Sequence, residues 1–273
     1  MLKTCWDNIR KNAPLIHNIT NYVTVNDTAN ILLACGGSPI MADELEEVEE
    51  ITAICGGLNI NIGTLNRRTI PAMFAAGKKA NALGHPVVLD PVGAGASRLR
   101  TETALQLLSE VRFAAIRCNI SELKALVNGS GTTKGVDADV ADAVSEDNLE
   151  AGIAFVKTAA ARFGAVIAAT GAIDLVANPE KCYVIRNGRP EMGRITGTGC
   201  QLSALTAAAL TANPGHALDA AAAAVAAMGV SGETGWANMS PSDGNAAYRN
   251  RIIDAVYHLD GAALERGARF ELR

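Results

Sequence analysis

Three short apolar runs in the middle of the chain, at residues 86–89, 113–118 and 165–169, each stop at one polar residue: Asp90, Asn119 and Thr170. Runs this short, with no polar alternation, predict strands buried on both faces. An earlier short run at 58–62, broken by Asn, ends at Gly63. Segments with helical spacing lie between the runs, at 69–83, 101–111 and 150–163, the first and last stopped by Gly84 and Gly164. Strand and helix in alternation with short connections predict an α/β fold, a mostly parallel central sheet with helices on both faces. Ligands of such sheets bind just beyond the carboxyl ends of the strands. Asp90, Asn119 and Thr170 stand at those ends and mark the expected site.

After residue 170 the pattern changes. Runs at 173–177 and 182–186 read as neighbouring strands joined by a turn at Asn178-Pro179. Asn187-Gly188 reads as a hairpin turn into a further short strand at 192–195. The C-terminal third reads as helical, over 200–210, 216–232 and 243–265. The middle helix is alanine-rich and apolar almost all round, which places it deep in the core or at a subunit contact. No linker divides the chain, so residues 1–273 are expected to form a single domain. Residues 129–147, richer in Gly, Thr and Asp, read as a surface loop.

Composition narrows the partners. Hydrophobic residues are 49% and charged ones 19%, enough for a sizeable core. The net charge is -4 and no Lys/Arg stripe forms, so no nucleic-acid partner is expected. The acidic run at 44–50 reads as a solvated helix face. No uninterrupted apolar stretch is long enough for a membrane span, and the polar first ten residues lack the core of a signal peptide. The six cysteines are scattered, without C-x-x-C pairs. A reducing, cytoplasmic location is expected.

The strongest chemical motif is Gly197-Thr198-Gly199-Cys200, which opens an Ala-rich helix. Small residues let the backbone approach a ligand closely, and the helix start turns N–H groups and partial positive charge toward it. That suits a transferring phosphoryl group. An ordinary turn before a helix has the same look. A thiol at a helix N-terminus is typically lowered from its usual pKa, so Cys200 is open to three roles: base, pocket wall or nucleophile. No His partner for a nucleophile is apparent. Asn119 and Glu122 stand three apart at a helix start, where Glu122 suits a magnesium or metal-water ligand. The same pair also reads as a capping box. Asp90, followed by Pro91, Gly93 and Gly95, suits magnesium waters beside a tight phosphate-side loop, or an Asp-Pro turn. Asn21 and Met41 suit a small polar heterocycle, one by hydrogen bonding and the other by its soft thioether; a loop cap and a core filler are the plainer readings. No Walker-A loop is present.

Together these segments resemble the hydroxyethylthiazole kinase family of the ribokinase-like superfamily. The resemblance runs in order through residues 17–21, 37–42, 61–65, 90–95 and 116–119 with Glu122, then Thr170-Gly171 with Asp174, and 197–200. The superfamily carries Asp after the Gly-rich turn; the thiazole kinases, like this chain, carry Cys. The resemblance implies a ribokinase-like kinase domain that uses ATP and magnesium to phosphorylate 4-methyl-5-(2-hydroxyethyl)thiazole in thiamine salvage. It places Met41, Asn21 and Gly197 at the thiazole. It places Arg117, Thr170 and Asn119 at ATP, and Asp90 and Glu122 at magnesium. Gly197, Thr198 and Gly199 form the anion hole, with Cys200 near the attacking hydroxyl. It further implies a homotrimer with sites between subunits. Kinases of pyridoxal or hydroxymethylpyrimidine, an ATP-dependent dehydratase, a silent nucleotide sensor and a cysteine hydrolase are the competing readings.

Overall fold

The computed structural model describes residues 1–129 and 143–273. The chain begins α1 (Leu2–Asn12), β1 (Leu15–Ile19), α2 (Val25–Cys35), β2 (Ser38–Met41) and α3 (Val48–Ile54). It continues β3 (Gly57–Asn61), α4 (Thr69–Leu83), β4 (Val87–Asp90), α5 (Arg98–Glu110), β5 (Ala115–Cys118) and α6 (Ile120–Asn128). Then follow α7 (Leu149–Phe163), β6 (Val166–Ala169), β7 (Asp174–Ala177) and β8 (Cys182–Ile185). The last elements are α8 (Thr198–Ala212), α9 (Ala217–Ala237), α10 (Asn245–His258), α11 (Gly261–Gly267) and β9 (Phe270–Leu272).

The strands form one sheet in the order β2-β1-β3-β4-β5-β6-β7-β8-β9. The first six run parallel, and β7, β8 and β9 add antiparallel at one end. Two cores sandwich the sheet, as expected of helices on both faces. Val88, Ala115, Val166 and Ala168 pack with α1, α2, α8 and α9, whereas Val87, Leu89, Ile116 and Ile167 pack with α4 to α7. The alternation follows from the two-residue period of a strand. Each fully buried Val, Leu or Ile contributes about 1.5–3 kcal/mol, so a one-residue slip that exchanged the faces is strongly disfavoured. That register also decides where the strand-end polar groups point: Asp90 follows Val88, and Arg117 follows Ala115, toward α8.

The alanine-rich helix α9 is buried at every position from 220 to 232. It touches α1, α8, α10, α11 and strands β6 to β8. This places it in the core, one of the two environments its composition predicts.

Three expectations are corrected. Residues 192–195 are not a strand: Pro190–Arg194 is a 3-10 turn. Pro190 cannot donate to a sheet ladder. The helix expected over 243–265 is two helices. The Asp260 side chain accepts from the Ala263 N–H at 2.7 Å and starts α11 afresh. The acidic run is helical only from Val48 onward. The surface loop expected at 129–147 falls mostly outside the described residues; near its end, Glu146–Asn148 form a 3-10 turn. The N-terminal elements α1, β1, α2 and β2, and the closing strand β9, lie outside the segments assigned from sequence, although α1 is clearly amphipathic and buries Leu2, Cys5, Trp6 and Ile9 on one face.

Candidate active site

Asp90 ends β4 and is 0% exposed. Its Oδ2 accepts from Asn61 Nδ2 and from Ser203 Oγ, both at 2.7 Å. Asn61 reaches it because the register sets Asn61 directly beside Asp90. Ser203 reaches it from the second turn of α8. Arg117 Nη1 lies 3.5 Å from Asp90 Oδ1, and Arg117 Nη2 donates to Thr170 Oγ1 at 2.9 Å. The Arg117 side chain is 13% exposed, and its Nε is buried without a partner among the described residues. A buried orphan donor on a cation is costly unless a ligand completes it. Burial pushes the Asp90 carboxyl up; the Arg117 charge and the Ser203 and Asn61 hydrogen bonds pull it back. Burial works against the Arg117 charge, but Asp90 and Glu122 outweigh it and raise its pKa.

Helix α8 opens at Gly197, whose φ of 93° lies in the left-handed region. A side chain there would be strained, and its Cβ would meet Thr24 Cγ2 at 2.5 Å. Cys200 follows in the first turn. Its Sγ accepts from Asn21 Nδ2 and Asn61 Nδ2, each at 3.2 Å. Asn61 Oδ1 in turn accepts from Asn21 Nδ2 at 3.0 Å and from the Gly63 N–H at 2.9 Å. The thiol is not lowered by its helix terminus, contrary to expectation. Burial and the Asp90 charge raise it, and hydrogen bonds from Thr24, Asn61 and Asn21 oppose them only in part. Cys200 is therefore a neutral thiol near pH 7, since its ordinary value already lies above 8.

Asn119 and Glu122 form the capping box of α6. Asn119 Oδ1 accepts from the Glu122 N–H at 2.8 Å, and Glu122 Oε2 accepts from the Asn119 N–H at 2.9 Å. The other carboxylate oxygen, Oε1, accepts from the Gly93 N–H at 2.9 Å and so ties the Asp90 loop to α6.

Two cavities meet over this network. One, of about 290 Å³, is lined by Asn21, Arg117, Asn119, Glu122, Gly197 and Cys200, among others. The second, of about 510 Å³, runs from Arg117, Thr170, Thr198 and Gly199 to Met192, Val225 and Met228. Arg117 and Gly199 wall both. Asp90 lies beneath the cavities rather than on their walls. Met41 closes the outermost strand and lines neither cavity; its register partner is Asn18. Asn61 and Ser203 had no role assigned from sequence. Asn61 ends its strand as Asp90 does, a signal hidden because alternation with Asn59 breaks the apolar run. A serine in a helix carries no comparable sign.

The hydroxyethylthiazole kinase family model matches residues 6–262. A curated hydroxyethylthiazole kinase of Clostridium acetobutylicum is 62% identical over 271 residues, covering 99% of each chain. The solved hydroxyethylthiazole kinase of Pyrococcus horikoshii OT3 superposes with a TM-score of 0.88 at 32% identity, over 100% of this chain and 98% of that one. A pyridoxal kinase of Staphylococcus aureus, solved in complex with AMP-PCP, shares the fold at a TM-score of 0.59 and 14% identity, over 95% and 98%.

Proposed function

The chain belongs to the hydroxyethylthiazole kinase family, and from that premise we propose how its residues phosphorylate the thiazole alcohol in thiamine salvage. The observation that carries this reading is the junction of two cavities at Arg117 and Gly199. The larger takes ATP, with Thr170 and Arg117 at its phosphates. The smaller takes 4-methyl-5-(2-hydroxyethyl)thiazole, beside Asn21, Gly197 and Cys200. The acceptor hydroxyl then faces the γ-phosphorus at the start of α8. Its oxygen forms the new P–O bond as the bond to ADP breaks, and the hydroxyl proton leaves late in the step, to a transferred phosphoryl oxygen and then to solvent. The first N–H groups of α8, at Thr198, Gly199 and Cys200, face the transferring oxygens, and Arg117 offsets their charge. The free Arg117 Nε supports that role.

The donor set fits magnesium. Glu122 lines the acceptor cavity, and magnesium commonly takes one or two carboxylates with phosphates and water. Among the described residues no three His, Cys, Asp or Glu side chains converge into a closed cage. Bound there, magnesium would neutralise phosphate charge. Glu122 would hold it, and Asp90 would act from below by fixing Arg117, Asn61 and Ser203.

A loose phosphoryl-transfer transition state asks for little early proton removal, and the raised thiol is a poor base. Cys200→Ser is therefore expected to keep about a tenth or more of wild-type kcat. A drop of more than about a hundredfold in a folded, substrate-binding variant would instead make Cys200 the general base.

Residues 1–273 act on this reading as one kinase domain. Cytoplasmic location fits the scattered reduced thiols and the family's substrates; among the described residues no helix is long and apolar enough to cross a membrane. The assembly is a homotrimer with sites between subunits. Tyr22, beside the acceptor cavity, is 77% exposed, and Met41 stands apart from that cavity within one chain. Sedimentation equilibrium should give about three times the chain mass; a fully active monomer would remove this part of the reading. The test of the function itself is ADP release with ATP and the thiazole alcohol, with and without magnesium. Turnover only with all three is expected. Release with pyridoxal or hydroxymethylpyrimidine but not thiazole would overturn the substrate.

A further inference from the structure

The far wall of the larger cavity is not part of the sheet. It is the segment 187–193, which passes from β8 through the 3-10 turn and contributes Asn187, Gly188, Arg189, Pro190, Met192 and Gly193. An irregular segment of this kind holds its shape only if its backbone groups find partners. Here one backbone N–H, that of Gly188, and one side-chain amide, that of Asn187, meet on a single side chain, Glu233 of α9. Glu233 Oε1 accepts from the Gly188 N–H at 2.7 Å. Asn187 Nδ2 lies 3.4 Å and 3.3 Å from the two carboxylate oxygens. Arg269 clasps the same carboxylate in bidentate fashion, Nη2 to Oε1 at 2.7 Å and Nη1 to Oε2 at 3.1 Å.

The C-terminal segment completes the clamp. The Arg269 N–H donates to Asn187 Oδ1 at 2.6 Å, and Asn187 Nδ2 donates to the Gly267 carbonyl at 2.8 Å. Two glycines of α9 bring the wall close. A methyl group on Gly229 would stand 2.6 Å from Asn187 Cβ, and one on Gly232 would overlap Met192. Asn187 therefore spends its amide on structure, and the carboxylate that shapes the wall does not line the cavity itself.

We propose that Glu233 is a positioning residue of the nucleotide subsite: its carboxylate, braced by Arg269, holds residues 187–193 at the distance from α9 that admits ATP. The inference rests on reading the larger cavity as the ATP site. It adds a role for the last strand and its approach, which lie outside the catalytic segments.

Steady-state kinetics of the full-length enzyme with ATP, magnesium and the thiazole alcohol, beside thermal unfolding, test this. Glu233→Ala should raise the KM for ATP about tenfold, the loss expected for charge-assisted hydrogen bonds. The KM for thiazole should stay within about twofold and kcat within about threefold, because the Arg117 end of the cavity is untouched. Glu233→Gln keeps an acceptor for Gly188 and should raise the KM for ATP less. An unchanged KM for ATP in both variants overturns the proposal. So does a parallel rise in both KM values with a lowered melting temperature, which marks general loosening. Met228→Trp fills the cavity from α9 without touching Glu233. If it weakens ATP while the Glu233 variants do not, the ATP reading stands and the clamp falls. If it leaves ATP unaffected, the ATP reading falls too.

Discussion

Asp90→Asn is expected to cut kcat by about a hundredfold or more, with the KM of either substrate within about threefold. Asparagine matches aspartate in shape, so its carbonyl can still accept from Asn61 and Ser203 on the Oδ2 side. Its amide then faces Arg117, where Oδ1 stood 3.5 Å from Nη1. Two donors would oppose each other, and a buried guanidinium would lose its counter-charge. Breaking a buried pair from one side costs about 3–5 kcal/mol; the two retained hydrogen bonds bring the expected loss nearer 2–3 kcal/mol. A denaturant melt reads the stability term and single-turnover kinetics read the chemical step. A variant that melts earlier but turns over normally would reduce Asp90 to a core residue and detach Arg117 from the reaction.

Gly199→Ala carries a comparable effect by another route. The new Cβ would stand 2.5 Å from both Arg117 Nη1 and Nη2, and 2.7 Å from Cζ. Contacts under 3 Å force one side to move. Helix α8 is packed into the core along its length, so the guanidinium yields, and with it the ion pair to Asp90 and the bond to Thr170. Because Arg117 walls both cavities, kcat/KM should fall about a hundredfold for ATP and for thiazole alike, the scale of losing one transition-state donor. Gly244→Ala is the control. Among the described residues nothing stands within 4 Å of an added Cβ there, and Gly244 is exposed at the start of α10, so activity should stay within about twofold. Wild-type kinetics in Gly199→Ala would mean that Arg117 does not need its present position.

These outcomes bear on how far local pattern reaches. The strands ending at Asp90, Cys118 and Ala169 were legible because each is a short apolar run punctuated by one polar residue, and burial on both faces writes that pattern. The start of α8 was legible because a tight turn at positive φ selects Gly197. The family resemblance added the pairing of these segments with Asn21 and Glu122. The 3-10 turn at Pro190–Arg194 was not legible, since its geometry depends on α9 receiving it at Gly229 and Gly232.

Sequence by itself thus determined the α/β class, the strand ends that carry polar groups and the glycine-rich helix start, since backbone preference and hydrophobic period act over a few residues. Only the tertiary structure decided what those groups do to one another. Asp90 meets Ser203 across 113 residues, and Cys200 meets Asn61 across 139. Packing α8 against the sheet makes these contacts, places Asp90 beneath the cavity rather than on its wall, and buries Cys200 so that its thiol rises where a helix terminus alone would have lowered it.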